Sequence, residues 1–155
     1  MDLYHWLLTL HITAAFFFVG GSVAAGILNT LAVRADRPSE TAALLKLVRR
    51  VLPVIFVGVA GTLIFGLWLW HEAHYGIGTA WLWISLALWV VSGALGGIGG
   101  DHQEKCRELA EKLAAQGNTA TDELKAILRD PRGNAVSWAA GVATLAILAL
   151  MIGKP

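Results

Sequence analysis

Histidine is the residue type in this sequence best suited to chemistry, and His11 has the most apolar surroundings of the five histidines. No charged residue occurs between Asp2 and Arg34, and His11 lies inside this interval. At 100° per residue, polar side chains of a helix over this interval fall within about 20° of one line. The members of this stripe are Tyr4, His11, Ser22 and Asn29. An ionisable ring is therefore predicted on a polar stripe of an otherwise apolar helix.

An imidazole without a partner is unfavourable in hydrocarbon, so we expect His11 to be bonded. Its partner could be a hydroxyl or a carbonyl of a neighbouring helix. It could instead be a metal, most simply haem iron, because neutral imidazole is a common axial ligand and helical bundles hold haem. Ser22 and Asn29 share the stripe and would line such a haem site. The residues by themselves leave both interpretations open.

A second group of metal-ligating residue types is predicted at one end of the helices. It comes together if the first two helices are antiparallel neighbours, and it consists of His5, His71, Glu72 and His74. His71 and His74 are three residues apart, which places them close on one helix face if the helix continues that far. Three imidazoles and a carboxylate could hold Zn²⁺ or Cu²⁺. The sequence therefore also permits a copper or zinc site.

The helices that would position these residues are predicted to cross a membrane. The chain is 56% hydrophobic and 15% charged, whereas soluble domains average about 25% charged residues. Four uncharged stretches are long enough to cross a ~30 Å hydrocarbon core, and they cover residues 3–33, 51–70, 80–100 and 135–152. We predict an all-α integral membrane four-helix bundle, a single transmembrane domain over 1–155. Without Asp, Glu, Lys or Arg inside a span, proton pumping through carboxylates is not expected.

The charge distribution predicts the direction of the four spans. Apart from Lys154, all Lys and Arg residues lie in the predicted loops 34–50 and 101–134, and the loop 71–79 has none. By the positive-inside rule both basic loops are cytoplasmic, so both termini lie outside the bacterial inner membrane. An aromatic belt is predicted at the outer boundary, made of Tyr4, Trp6, Trp68, Trp70, Tyr75, Trp81 and Trp83.

The second basic loop is predicted to form a short helical hairpin between the third and fourth spans. Residues 103–115 have apolar side chains at helical spacing and end at Gln116-Gly117-Asn118. A second short helix is predicted to start at Thr119 or Thr121 and to stop before Pro131. The charges of this hairpin nearly cancel, which is typical of a solvated surface.

Small and hydroxyl-bearing residues predict which helix faces pack together, since lipid offers little hydrophobic drive for helix association. These residues are Gly58, Thr62 and Gly66 in the second span, Ser85, Ser92, Gly96 and Gly100 in the third, and Ser137, Gly141 and Thr144 in the fourth. The expected partners are the lipid bilayer and another copy or a larger membrane complex. No basic tract suits a nucleic acid.

Residues 11–21, HITAAFFFVGG, with an arginine at the inner end of the helix, resemble the first helix of several small bacterial membrane families. They are similar to an uncharacterised group of predicted integral membrane proteins. They resemble more distantly the copper-resistance D domain and the J-type protoporphyrinogen oxidase. Residues 49–54, leading to Gly66-Leu67-Trp68, also resemble the second helix of the oxidase group. The resemblance covers about the first 100 residues.

This resemblance implies a four-helix bundle in which the first-helix histidine, matched by His11, binds b-type haem. The oxidase pattern has a lysine in its third helix, and this chain has none between Val51 and Gly100, so porphyrinogen oxidation is not implied. Copper-resistance relatives imply metal handling at the outer face, which suits His5, His71 and His74. We predict a haem b protein with an electron-transfer or redox role. The alternatives are a non-catalytic subunit of a membrane complex, an outer-face copper or zinc protein, or a chain without a cofactor.

Overall fold

The computed structural model of this protein describes residues 2–74 and 80–153, apart from the side chain of Asn134, and these residues form helices without any strand. The helices are α1 (Leu3–Arg34), α2 (Pro38–Glu72), α3 (Ala80–Ala115), α4 (Asp122–Leu128) and α5 (Pro131–Gly153). All except α4 contain a segment long and apolar enough to cross a membrane. The predicted all-α membrane fold with four spans is confirmed. Tyr75 of the predicted aromatic belt and residues 75–79 of the outer loop lie outside the described residues.

Local sequence signals explain where the helices begin. The carboxylate of Asp2 accepts a hydrogen bond from the backbone N–H of His5, 3.1 Å away, and so caps α1. Pro38 occupies the first turn of α2, where its missing N–H leaves no hydrogen bond unmade. The hydroxyl of Thr121 accepts from the backbone N–H of Leu124 and caps α4. With 32 residues, α1 is about 48 Å long, which requires it to tilt or to project beyond the bilayer.

The predicted loop boundaries need correction. Residues 38–50 were expected in a loop but form the first turns of α2, and residues 101–115 continue α3 without a break. The first arm of the predicted hairpin is therefore an extension of a membrane helix, and α4 is the second arm. The two arms meet at a turn in which Gly117 and Asn118 have positive φ angles of 109° and 56°, as is common where a helix ends.

The four long helices pack in the cyclic order α1, α2, α3, α5. The interface of α1 with α2 is the most extensive, α3 packs against both α2 and α5, and α1 barely touches α5. The bundle is therefore closed firmly on three sides and loosely on the fourth. Large apolar side chains point away from it along the spans, among them Phe16, Trp138 and Ile152, each more than 70% exposed. This arrangement suits a protein whose spans contact lipid.

One end of the bundle, called here the basic end, carries both basic segments and has its own small core. The buried residues of this core are Ala32, Ala42, Leu45, Cys106, Ala110, Leu124 and Leu128. Arg49 of α2 pairs with Glu104 of α3. Arg107 is held by Glu104 at 2.7 Å and by Glu111 at 2.6 Å. The two basic segments therefore lie on the same side of the spans, as the predicted direction of crossing requires.

Candidate functional site

The imidazole of His11 is bonded across the interface between α1 and α2. Its Nδ1 lies 3.1 Å from the backbone carbonyl oxygen of Thr62, and the ring is half-buried. A carbonyl can only accept, so Nδ1 carries the proton and donates it. The prediction that His11 needs a partner is confirmed, and the partner is the carbonyl of a neighbouring helix. Nε2 then keeps its lone pair, and this atom has no hydrogen bond within residues 2–74 and 80–153.

Glycines on α2 allow α1 to come close enough for this bond. A Cβ placed on Gly58 would lie 2.4 Å from the backbone nitrogen of Phe18, so the two backbones are in direct contact there. A Cβ on Gly66 would lie 3.0 Å from Cε1 of His11 and 3.2 Å from its Nδ1. The imidazole therefore packs against Gly66 on the side where another residue would carry its Cβ. Without a side chain at these glycines, α1 can seat both its backbone and the His11 ring against α2.

Thr62 shares this interface but does not use its hydroxyl on His11. The hydroxyl donates to the carbonyl of Gly58, 2.7 Å away in the same helix, and Thr62 is buried. Gly58, Thr62 and Gly66 therefore lie on the face of α2 that contacts α1. The predicted inward stripe of the second span is confirmed.

The predicted contact faces of the other two spans are only partly correct. Ser92 of α3 and Thr144 of α5 are buried, and their hydroxyls lie 3.2 Å apart across the interface. Ser85 is buried as well. In contrast, Gly96, Gly100 and Gly141 were expected to face inward, but a Cβ on any of them would meet nothing within 4 Å. Instead it is Gly99 that packs on α5, with the Ser137 hydroxyl 3.3 Å from its Cβ position. The register of the third span therefore differs from the prediction near its inner end.

The remaining members of the polar stripe on α1 do not join His11 at one point. Ser22 follows His11 by eleven residues, about 16 Å along the helix. Its hydroxyl donates to the carbonyl of Phe18, 2.7 Å away. Asn29 is about 27 Å from His11 by the same rise, and it is half-buried. The structure thus places the three residues on one helix but separates them along it.

The residues of the predicted metal site lie at the end of the bundle opposite the basic end. Among the residues that the structure describes, no three His, Cys, Asp or Glu side chains lie close enough together to hold a metal ion. His5 bonds to Asp2 at the start of α1 instead. His74 follows the end of α2 with a φ of 54°, and its Nδ1 lies 2.8 Å from the carbonyl of Glu72. The predicted copper or zinc site at His5, His71, Glu72 and His74 stays a prediction. In the structure the side-chain carboxylate of Asp2 bonds to the imidazole of His5, and the backbone carbonyl of Glu72 bonds to that of His74.

Two tryptophans of the predicted aromatic belt are in contact where α2 ends and α3 begins. The rings of Trp70 and Trp83 contact edge to face, with centroids 6.0 Å apart. Sequence reasoning did not single out Trp89, whose indole N–H is buried without a hydrogen-bond partner in the described part of the chain. Nothing in the sequence distinguishes this tryptophan from the other six, since burial of one atom depends on how α3 packs.

Hydrogen bonds and burial shift the pKa values of groups outside the spans, at the two ends of the bundle. The hydrogen bonds from His5 hold the pKa of the Asp2 carboxyl below its ordinary value. At the basic end, hydrogen bonding by Arg107 lowers the pKa of Glu104. Burial raises the pKa of the Cys106 thiol from 9.0 to about 11. Its sulfur lies 3.8 Å from Nε2 of His102. A thiol that stays protonated is a weak nucleophile.

A family model described as "Predicted integral membrane protein (DUF2269)" matches residues 5–155. No curated protein and no solved structure matches the chain.

Proposed function

This chain belongs to the DUF2269 family of predicted integral membrane proteins, and on that premise we propose that it is a small b-type haem protein. His11 would hold the iron through Nε2. The observation that carries the proposal is the bond from Nδ1 of His11 to the Thr62 carbonyl. Histidines that ligate metals usually donate their other ring N–H to a carbonyl or carboxylate, which fixes the tautomer and the ring orientation.

The residues around His11 fit this role. The carbonyl of Thr62 makes Nε2 the basic nitrogen of the ring, and the same bond stops the imidazole from rotating. Gly66 leaves room for the ring on the α2 side. α1 and α5 are in little contact, so the bundle is least closed on the side between them. A bound haem would supply one-electron chemistry between ferric and ferrous iron.

The chain's own contribution would be to position the iron ligand and to tune its basicity. The Thr62 carbonyl accepts a hydrogen bond from Nδ1–H, which makes Nε2 a stronger electron-pair donor to a metal. In a bilayer the apolar faces of α1 and α2 would keep water away from this level of the bundle. The uncharged spans place no carboxylate beside His11, so proton uptake coupled to reduction would have to use groups outside the spans.

We also propose that the protein lies in the bacterial inner membrane with its basic end in the cytoplasm and both termini outside. Support comes from the packing of residues 34–50 with residues 101–134 at one end of the bundle. The tryptophans Trp70 and Trp83 meet at the opposite end, where the aromatic belt was predicted. Cysteine labelling of an exposed residue at each end, with a reagent that does not cross membranes, tests this orientation. Labelling of the basic end in intact cells would refute it.

The absorption spectrum of the purified protein tests the haem proposal directly. After expression with sufficient haem, we expect a Soret band that shifts when the protein is reduced. A preparation that lacks this band, although the protein is folded and membrane-inserted, would exclude haem binding.

A second candidate is a non-catalytic subunit that associates with a second copy or a larger membrane complex. It is favoured by four glycines on one face of α3, where an added Cβ would meet nothing within 4 Å; they are Gly93, Gly96, Gly97 and Gly100. Small residues at this spacing allow close helix packing in lipid. This candidate predicts a colourless protein that is isolated as an oligomer or with a stoichiometric partner. Replacing Gly97 by isoleucine would then break the association without unfolding the chain.

A further inference from the structure

A cavity at the basic end is lined by an excess of positively charged side chains. It has a volume of about 160 Å³ and lies between the α1–α2 connection and α4. Buried Thr41 and Leu124 contribute to its lining, so part of its wall belongs to the packed core of this end. Its cationic residues come from three elements and are Arg34, Arg37, Lys125 and Arg129.

These four cationic side chains are not neutralised by the protein. None of them forms an ion pair or a side-chain hydrogen bond within residues 2–74 and 80–153. One carboxylate, that of Asp36, also lines the cavity, so three positive charges remain in excess. The arginines of the neighbouring network behave differently, since Arg49 and Arg107 are both paired with Glu104.

The start of α2 lines this cavity but offers it no free backbone donor. Pro38, the first residue of α2, is among the lining residues and is buried. It has no N–H, the N–H of Ser39 donates to Oδ1 of Asn118, and those of Glu40 and Thr41 donate to the Arg37 carbonyl. The charge of the cavity therefore comes from its side chains. Four cations without partners favour an anion with several oxygen acceptors, and guanidinium groups bind phosphate through paired N–H donors.

The cavity lies beyond the level at which α2 enters the hydrocarbon. Gly21 of α1 packs against Val51, where the uncharged stretch of α2 begins, and Arg34 follows Gly21 by about 20 Å along the helix. Soluble phosphates reach this level from water, and basic pockets beside membrane helices bind anionic headgroups. The cavity volume is several times the roughly 30 Å³ that one water occupies. We propose that this cavity binds a phosphate group, carried by an anionic phospholipid headgroup or by a soluble phosphate.

This inference does not rest on the haem proposal, because the cavity is formed at the basic end and does not include His11. Thermal unfolding of the purified full-length protein in detergent tests it. The probes are phosphatidylglycerol, phosphatidylcholine as a zwitterionic control, and inorganic phosphate against sodium chloride of equal ionic strength. A ligand that binds only the folded state raises its unfolding temperature.

A matched pair of double variants separates the cavity from diffuse surface charge. Lys125→Gln with Arg129→Gln removes two cations from the cavity, and Lys112→Gln with Arg132→Gln removes two exposed cations elsewhere at the basic end. All four side chains are exposed, so both proteins should unfold like wild type without a probe. We expect the cavity variant to need roughly tenfold more phosphatidylglycerol for the same stabilisation, and the control variant to match wild type.

Each outcome decides the matter. Stabilisation by phosphatidylglycerol alone identifies a lipid headgroup, and stabilisation by inorganic phosphate at equal ionic strength identifies a soluble phosphate; both support the site if the cavity variant loses the effect. Equal responses of the two double variants would overturn it. So would a wild-type protein that responds to neither phosphate probe, or one stabilised equally by phosphatidylcholine.

Discussion

Nδ1 of His11 on α1 lies 3.1 Å from the backbone carbonyl oxygen of Thr62 on α2. A carbonyl oxygen has two lone pairs, so it can accept from an imidazole and from its own helix at the same time. The bond joins the two most extensively packed helices of the bundle. It also decides which ring nitrogen of His11 remains available, and that choice underlies the haem proposal.

The first prediction separates the ligand role of His11 from its structural role. His11→Asn keeps an N–H donor for the Thr62 carbonyl but removes the nitrogen that would bind iron. We expect this variant to stay within about 1 kcal/mol of wild type in stability, the scale of one hydrogen bond between membrane helices, and to lack the Soret band. His11→Ala should lose both the band and some stability.

The control for this experiment is His102→Ala, which removes an imidazole at the basic end, beside Cys106. We expect its Soret band to be unchanged. If His11→Asn keeps the wild-type spectrum, His11 is not the iron ligand and serves only to join α1 and α2. Absorption spectra and thermal unfolding of the same preparations give both readouts.

The second prediction concerns the glycine beneath the imidazole. A methyl group at Gly66 would lie 3.0 Å from Cε1 of His11, so the ring must shift by a few tenths of an ångström. We expect this displacement to shift or weaken the haem spectrum of Gly66→Ala. Gly20→Ala on α1 adds the same methyl where nothing lies within 4 Å, so its spectrum should match wild type. Equal spectra for both variants would show that the ring position does not matter.

The third prediction tests the contact between the backbones of α1 and α2. A Cβ on Gly58 would lie 2.4 Å from the Phe18 nitrogen and 2.9 Å from the Ala14 carbonyl oxygen. Backbone atoms cannot move aside as a flexible side chain can, so α1 and α2 must separate. We expect Gly58→Ala to destabilise the protein by at least about 1–3 kcal/mol. Gly141→Ala, with open space around the added methyl, is the control; similar unfolding temperatures for the two variants would contradict this packing.

The fourth prediction follows from the burial of Cys106, which is 2% exposed. Its pKa is raised from 9.0 to about 11 because burial disfavours the thiolate. A raised folded-state pKa adds stability that is present below pH 9 and is lost as the pH rises towards about 11. We expect maleimide to modify Cys106 far more slowly in the folded protein than in the denatured one at neutral pH. Cys106→Ser should flatten the fall in stability between these two pH values.

The fifth prediction concerns the ion pairs that join α2 to α3. Glu104 binds both Arg49 and Arg107, and its pKa is lowered mainly by its hydrogen bond to Arg107. This contribution to stability is present above the ordinary pKa of 4.5 and is lost as the pH falls below it. Because the carboxylate is partly exposed, we expect Glu104→Gln to cost less than about 1 kcal/mol at neutral pH.

Salt and acid provide the controls for this prediction. At high ionic strength, or at a pH well below 4.5, wild type and Glu104→Gln should unfold at nearly the same temperature. Glu108→Gln, one turn further along α3 and in no ion pair within the described residues, should behave like wild type throughout. A difference between wild type and Glu104→Gln that survives in high salt would indicate packing rather than charge.

Composition along the chain was enough to predict that the helices lie in lipid, that there are four spans and that His11 needs a partner. These follow from local composition, because an uncharged stretch of twenty or more residues can satisfy its backbone in lipid only as a helix. The hairpin turn near Gly117 was also readable, since only a few residue types adopt a positive φ. The start of α2 at Pro38 and the unbroken run of α3 through residues 101–115 were not, because polar residues continue a helix as easily as they end it.

Which atoms are in contact became clear only from the packing of the helices. The sequence placed Thr62 on an inward stripe but could not show that its carbonyl, and not its hydroxyl, receives the His11 proton. The gathering of Arg34 with Arg129 around one cavity has the same origin. Residues far apart in the chain are brought together by the relative rotation and offset of helices. Those two quantities depend on close packing between backbones, which residue types and spacing within one helix do not specify.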